Sequence, residues 1–162
     1  MPEIHFTADH HFFHDGIIRM CGRPFSSTDE MNETMIERRN AVVHGNDVVY
    51  HLGDFAMKGT AEGCAAVFKR IKGRKHLIVG NHDKARVTSL PWASAPQARM
   101  LVRVPGEKVP LVLDHYAMRT WPSAHHGAVH LYGHSHGNLP GMDRRGDGTE
   151  FRWTREELVK AA

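Results

Sequence analysis

Four short runs rich in apolar residues constrain the fold most, because Asp, His or Asn residues follow each run directly or after one glycine. The runs cover residues 4–8, 48–52, 76–79 and 128–132. Their β-branched, leucine and aromatic content predicts short buried strands. In open α/β sheets, ligands bind beyond the carboxyl ends of the strands. The repeated pattern therefore predicts that strand ends bring polar side chains into one site.

Helical segments separate the strands in the first half of the chain. Ser27 and Glu30 form a capping box that predicts a helix start, and apolar residues continue at roughly helical spacing to Val43. A second helix is predicted over residues 61–71, whereas residues 17–25 are predicted to form a connecting segment. Strand, helix, strand, helix and strand in this order predict a parallel sheet.

The second half has a different pattern, with two apolar runs flanking a Pro-Gly turn in the manner of a hairpin. It contains these predicted features: strands at 100–104, 109–113 and 128–132, a tight turn at 147–148, a weak strand at 150–153, and a terminal helix capped by Thr154 and Glu157. The sequence predicts one domain over residues 1–162, with two facing sheets and helices outside.

The composition is that of an ordinary globular protein, with 41% hydrophobic and 24% charged residues. Neither a long apolar stretch nor a secretory signal is evident, so we expect a cytoplasmic protein with no membrane partner. The net charge of +3 agrees with an anionic substrate. For Cys21 and Cys64, a reduced pair of small buried side chains is favoured over a disulfide.

Metal-ligand chemistry is the strongest functional signal, because 14 histidines are present and several follow the predicted strands. The polar residues at the strand ends are Asp9, His11, Asp54, Asn81, His82, His115, His134 and His136. This set is too large for one ion of four to six ligands, and it suits two ions that share a carboxylate. Paired metal ions of this kind stabilise the attacking and leaving oxygens in phosphatases and nucleases.

These residues resemble the motifs of the calcineurin-like metallophosphoesterases, in the family's order. The matching motifs are Asp9-His10-His11, Gly53-Asp54, Gly80-Asn81-His82-Asp83, His115 and Gly133-His134-Ser135-His136. Residues 23–25 and 50–55 resemble the small bacterial and phage branch of the family. The resemblance implies an α/β fold, a four-layer αββα sandwich in which two facing mixed β-sheets are flanked by helices. The segment after residue 136 is shorter than in the family, which predicts an abbreviated second sheet.

The resemblance also implies individual roles. Asp9, His11 and His136 would hold one metal ion, and Asn81, His115 and His134 would hold the other. Asp54 would bridge the two ions. His82 would face the substrate as proton donor or transition-state stabiliser, and Asp83 would orient His82.

Other residues receive weaker predictions. His14 and Arg23 are candidates to contact phosphate, although a structural salt bridge is an equal alternative for Arg23. His10, His125 and His126 are predicted to lie at the surface. Trp92 and Trp121 are candidates to border a substrate cleft, but packing in the core or at its rim is favoured.

The function that these patterns predict is a dinuclear metal-dependent phosphoesterase. Its activated hydroxide would hydrolyse phosphodiesters or small phosphorylated metabolites, with nucleic acids and nucleotides as open candidates. Two divalent ions are expected, with Mn²⁺ preferred and Fe, Zn or Ni as alternatives. A metal-poor protein-interaction scaffold of the same fold is the alternative, and it predicts lost ligands. The sequence does not determine the oligomeric state.

Overall fold

Two three-stranded sheets form the framework of the protein. The structure is a computed structural model that describes residues 2–139, 143–144 and 150–151. The first sheet contains β1 (Ile4–Thr7), β2 (Val48–His51) and β3 (Arg74–Leu77), paired in that order and parallel. Their register places Thr7, His51 and Leu77 side by side. The three strands therefore end level, at one edge of the sheet.

The second sheet combines both pairing directions. β4 (Arg99–Val102) pairs antiparallel with β5 (Leu111–Asp114), which pairs parallel with β6 (His130–Leu131). A separate antiparallel pair joins β7 (Asp143–Arg144) and β8 (Glu150–Phe151). The hairpin in the second half is confirmed, and β8 overlaps the weak strand predicted at 150–153. The predicted turn at 147–148 and the terminal helix lie outside the described residues.

Three helices connect the strands of the first sheet: α1 (Asp15–Met20), α2 (Thr28–Val42) and α3 (Ala61–Arg70). A fourth, α4 (Ala85–Thr88), lies between β3 and the second sheet in the chain. A short 3₁₀ turn covers Ala124–His126. The Ser27 side chain caps α2 by accepting a hydrogen bond from the Glu30 amide, while the Glu30 carboxylate accepts from the Ser26 amide. Within the described part of the chain, no helix combines the length and the apolar character that crossing a bilayer requires.

Two apolar clusters hold these layers together. One lies between the first sheet and its helices, and includes Phe12, Phe55, Phe68 and Leu77. The other lies between the two sheets, where Leu52 and Ile78 meet residues of β4 and β5. Full burial of one such side chain contributes about 1.5–3 kcal/mol. The α/β class and the arrangement of two facing sheets are confirmed.

Several elements differ from the sequence-based expectation: β6 covers His130–Leu131 instead of 128–132, α4 was not predicted, and β3 and α1 also differ. β3 covers Arg74–Leu77 instead of 76–79, because the chain beyond it turns towards the segment that precedes β4: Gln97 donates to Leu77 at 3.2 Å, and Val79 donates to Gln97 at 2.8 Å. Part of the predicted connecting segment is helical in α1, a helix of 6 residues with one buried side chain, Ile17. Such a short helix leaves little apolar periodicity to detect.

Candidate metal centre

The loops after β1 and β2 run side by side and bring the first predicted ligands together. The amides of Asp9 and His11 donate to the carbonyls of Gly53 and Asp54, both at 3.0 Å. Farther along, Phe12 still pairs with Ala56 in an isolated parallel bridge. Hydrogen bonding between the strands thus continues past their ends, so the loops have fixed positions.

Five of the seven predicted ligands have left-handed backbone conformations, which are uncommon for residues other than glycine. They are Asp9, His11, Asp54, His134 and His136, with φ between 48° and 65°. Each such residue costs of order 1–3 kcal/mol and persists only where its surroundings hold it. This concentration of strained residues indicates a functional site.

Two glycines permit the close approach of these loops. A Cβ atom on Gly53 would lie 2.7 Å from the Cα atom of Gly80, and one on Gly80 would lie 2.5 Å from the amide nitrogen of Asp54. Real Cβ atoms essentially never come so close to backbone atoms. The glycines that precede Asp54 and Asn81 therefore let the two turns pack against each other.

The first ligand group consists of Asp9, His11 and His136, whose ligand atoms all lie within 4.8 Å of one another. The Nε2 atoms of His11 and His136 are 3.2 Å apart. One oxygen of Asp9 accepts a hydrogen bond from the His134 amide at 3.1 Å. His11 is buried, whereas the other two residues are half-buried.

The second ligand group consists of Asp54, His115 and His134, again within 4.8 Å. Asn81 joins it, because its Oδ1 atom lies 2.9 Å from His115 Nε2 and 3.1 Å from His134 Nδ1. The outer nitrogen of His115, Nδ1, lies 2.8 Å from the Leu52 carbonyl and donates to it. That bond leaves the Nε2 lone pair directed at the group, as metal-ligating histidines require.

Asp54 lies between the two groups. Its Oδ2 atom is 3.5 Å from Nε2 of both His11 and His115. Its Oδ1 atom accepts a hydrogen bond from the His82 amide at 2.9 Å. A carboxylate in this position can contact an ion in either group.

Burial shifts the ionisation of the cluster. It raises the pKa of Asp9 to about 6 and lowers the pKa of His11 to about 3. Burial also raises the pKa of Asp54, but the neighbouring His115 ring and a hydrogen bond from the His82 amide outweigh it, so the pKa lies below its usual value. His11 is therefore a neutral imidazole near pH 7, the form that binds metals.

The donor set fits a pair of divalent metal ions. Each group supplies imidazole nitrogens and one carboxylate oxygen, and the second adds an amide oxygen. Such mixed nitrogen and oxygen ligands suit Mn, Fe, Zn or Ni ions. The structure brings together all seven residues predicted as ligands, and their binding of metal stays a prediction.

Two other histidines predicted at the site lie beside the first group. The half-buried His82 ring is 5.4 Å from the His11 ring between centroids. His14 is buried, and its ring lies 5.6 Å from that of His11. Burial lowers the pKa of His14. Proton transfer by His82 and phosphate contact by His14 stay predictions.

The carboxylate of Asp83 has different partners from the one predicted. Its carboxylate accepts hydrogen bonds from the amides of Asp54, Phe55 and Gly80 at 2.8–2.9 Å. The carboxylate thus faces backbone amides instead of the His82 imidazole. Asp83 fixes the turn that carries Asp54 against the turn that carries Asn81, because it accepts hydrogen bonds from backbone amides of both turns.

Arg23 also has different partners from those predicted. Its terminal nitrogens donate to the carbonyls of Asp9 and His10 at 2.6 and 2.7 Å. They are therefore directed at the backbone of the loop, and the structure favours a supporting role for Arg23 over the predicted phosphate contact. Neither bond is a salt bridge, the predicted alternative, because both acceptors are uncharged carbonyl groups.

His10 is not the surface residue that the sequence suggested. Its Nδ1 atom lies 2.6 Å from Nε2 of His51, and its ring stacks on Phe12. Burial lowers the pKa of His10 to about 3. His125 and His126 are exposed, as predicted. Trp92 packs against the core cluster beneath the first sheet, also as predicted, and Trp121 is half-buried.

Sequence reasoning missed two neighbours of the ligands. The Cys21 Sγ atom lies 3.5 Å from the outer nitrogen, Nδ1, of His136, a contact across 115 positions that no sequence pattern signals. Cys21, which is half-buried, and Cys64, which is buried, do not form a disulfide with each other. The ring of Tyr116 lies 4.6 Å from that of His134, and its place directly after His115 was the available signal.

Fold and site together define a class: an α/β protein with two facing sheets and a His, Asp and Asn cluster at the ends of its strands. The chain belongs to the family described as calcineurin-like phosphoesterase, whose family model matches residues 2–109. Membership supports a metal-dependent phosphoesterase activity in general terms, and it confirms the resemblance drawn from the motifs.

Relatives with similar sequences occur in an archaeon and in a phage. The chain is 35% identical over 132 residues to an uncharacterized protein of Methanocaldococcus jannaschii, covering 81% of this chain and 73% of the relative. It is 28% identical over 164 residues to the Gene 66 protein of Mycobacterium phage D29, covering 86% and 81% respectively. Neither name assigns a substrate.

A solved structure shows the same fold. It is a protein of unknown function from Aquifex aeolicus, with a TM-score of 0.58 and 24% sequence identity. The match covers 72% of this chain and 61% of that protein, so this chain spans under two thirds of its length. At this identity the similarity concerns the fold alone.

Proposed function

We propose that the protein is a dinuclear metal-dependent phosphoesterase that hydrolyses phosphodiesters or small phosphorylated metabolites. The observation that supports this most is the position of Asp54, whose Oδ2 atom is equidistant from a histidine of each ligand group. One carboxylate can then serve two ions. The scaffold alternative predicts missing ligands, whereas this chain has all seven, so no observation favours it.

The residues of each group would hold one divalent ion. Asp9, His11 and His136 would hold the first, Asn81, His115 and His134 the second, and Asp54 both. When bound, such ions activate water and neutralise negative charge on phosphate. In the reaction, a water oxygen bonds to phosphorus and the bond to the leaving oxygen breaks. His82 would supply the proton that this oxygen takes up, since its ring borders the cluster without belonging to either group.

Metal-reconstitution kinetics test the proposal. Chelator-stripped protein is loaded with Mn²⁺, and hydrolysis of bis-p-nitrophenyl phosphate is compared with hydrolysis of p-nitrophenyl phosphate. We expect two ions per chain and turnover that a chelator abolishes and Mn²⁺ restores. Asp54→Asn should bind fewer ions and lose about 10²-fold or more in kcat/KM, because it weakens the shared ligand. Fe, Zn and Ni loading identifies the best metal.

Asp47→Asn is the matched control, because Asp47 is also a buried carboxylate that accepts hydrogen bonds from backbone amides, those of Glu3 and His44. It should keep its metal content and turnover. Turnover that survives chelation, or that Asp54→Asn and Asp47→Asn affect equally, contradicts the proposal.

A further inference from the structure

Two of the seven predicted ligands are exposed, namely Asn81 and His134. His11, Asp54 and His115 are buried, and the other two are half-buried. A substrate therefore reaches the cluster past Asn81 and His134. The Lys84 ammonium lies 3.1 Å from the Asn81 carbonyl and is exposed, which adds a positive charge at this entrance.

Tyr116 stands at the same entrance. Its ring lies 4.6 Å from that of His134 and 5.0 Å from that of His115, both in edge-to-face arrangements. The residue is 47% exposed, so nearly half of its surface faces solvent beside two predicted ligands. A single exposed aromatic residue is ordinary on a protein surface, but its contact with His134 places this one at the site.

The carboxylate of Asp114 holds the backbone of Tyr116 in place. Its amide donates to Asp114 Oδ1 at 2.9 Å, and Arg99 Nε donates to the other oxygen of that carboxylate at 2.9 Å. Asp114 is the last residue of β5, so the ring projects from the end of a strand. A rigid aromatic surface offers contact area at a low entropic cost.

We infer that Tyr116 is a stacking surface for a nucleobase, and that the substrates are nucleotide phosphodiesters. This inference rests on the proposed function. With the phosphate at the cluster, a base linked to it through a sugar can reach the ring beside His134. Every nucleobase has a flat π-face, and stacking on an aromatic side chain is tolerant of sequence. The Lys84 charge suits the anionic backbone of such a substrate.

Two diesters with the same leaving group test the inference. Thymidine 5′-p-nitrophenyl phosphate carries a base, whereas methyl p-nitrophenyl phosphate does not. Wild-type protein loaded with Mn²⁺ should prefer the thymidine ester in kcat/KM. Tyr116→Leu removes the ring but keeps apolar bulk, and should lower this preference about tenfold, within the range that base stacking contributes. Tyr116→Phe should retain it.

Leu101→Ala is the control, because Leu101 is 53% exposed on β4 and is not part of either ligand group. It should leave the preference unchanged. Equal turnover of the two esters by the wild type, or an equal loss for both in Tyr116→Leu, overturns the inference. So does a Tyr116→Phe variant that behaves like Tyr116→Leu.

A binding measurement separates this inference from the proposed function. Thymidine 5′-monophosphate is titrated calorimetrically into Mn²⁺-loaded wild type and Tyr116→Leu, with ribose 5-phosphate as the ligand without a base. We expect about tenfold weaker nucleotide binding by the variant and unchanged sugar phosphate binding. Absence of Mn²⁺-dependent turnover of both esters and of p-nitrophenyl phosphate overturns the proposed function. An unchanged ratio of nucleotide to sugar phosphate affinity overturns the role of Tyr116, whatever the turnover.

Discussion

At the scale of single residues, Asp83 shows how the strained backbone of the site is maintained. Its buried carboxylate accepts three backbone hydrogen bonds, one from Asp54 itself, whose φ is 60°. Hydrogen bonds of this kind stabilise a conformation that costs free energy by itself. Burial raises the pKa of Asp83, while the three amides lower it, and the balance leaves it above its usual value.

Asp83→Ala is predicted to destabilise the protein. Three amides would lose their partner, and each buried unsatisfied group costs about 1–3 kcal/mol before relaxation. We expect a loss of about 2–5 kcal/mol in the free energy of unfolding, measured by urea denaturation.

His82→Ala is the comparison that separates stability from chemistry. It should leave the free energy of unfolding and the metal content nearly unchanged, and lower kcat by about 10²- to 10⁴-fold. The sequence-based role for Asp83, orienting His82, requires the opposite for Asp83→Ala: full stability with reduced kcat. An Asp83→Ala variant as stable as the wild type would contradict the structural role described here.

At the scale of elements, the turn after β3 depends on Gly80. An alanine there would put its Cβ atom 2.5 Å from the Asp54 amide nitrogen. The turns would have to separate, at a cost of about 1–3 kcal/mol or more. We therefore predict that Gly80→Ala lowers stability and weakens Mn²⁺ binding, as measured by thermal unfolding and calorimetry.

Gly45→Ala provides the control for Gly80→Ala, since nothing lies within 4 Å of a Cβ atom at Gly45. Its stability and its Mn²⁺ affinity should match those of the wild type. If Gly80→Ala binds Mn²⁺ with wild-type affinity, the packing of the two turns does not determine the position of Asp54.

The sequence predicted the elements with strong patterns and missed those with weak ones. The α2 start at Ser27 and the hairpin of β4 and β5 were predicted correctly, because a capping motif and a turn flanked by apolar runs are local signals. The 6-residue helix α1 carries too short a pattern, and the end of β3 depends on Gln97, which is distant in sequence.

The features of the candidate site also divide into those that the sequence predicted and those that it missed. Which Asp, His and Asn residues meet could be predicted, because each follows a strand and the strands end level. The contacts that support these ligands could not be predicted, since such contacts depend on which atoms lie nearest after folding. Asp83 faces amides instead of His82, Arg23 faces carbonyls, and His10 packs against His51.

At the scale of the whole molecule, the ligand cluster joins the two sheets. Asp9 and Asp54 follow strands of the first sheet, whereas His115, His134 and His136 follow strands of the second. Each ligand group draws residues from both sheets. Apart from this cluster, the apolar contacts of residues such as Leu52 and Leu113 hold the sheets together. A bound metal ion would therefore crosslink the two halves of the fold.

We accordingly predict that metal binding stabilises the entire protein. A ligand at 100 times its Kd that binds only the folded state adds about 2.7 kcal/mol to the free energy of unfolding. For a chain of this size, that corresponds to a rise of roughly 5–10 °C in Tm, seen by calorimetry when Mn²⁺ is added to chelator-stripped protein. The rise should be smaller in Asp54→Asn and unchanged in Asp47→Asn. Because ions at the interface would hold both sheets, unfolding of loaded protein should remain a single transition. Two transitions, with only one shifted by Mn²⁺, would show that the ions stabilise one sheet alone.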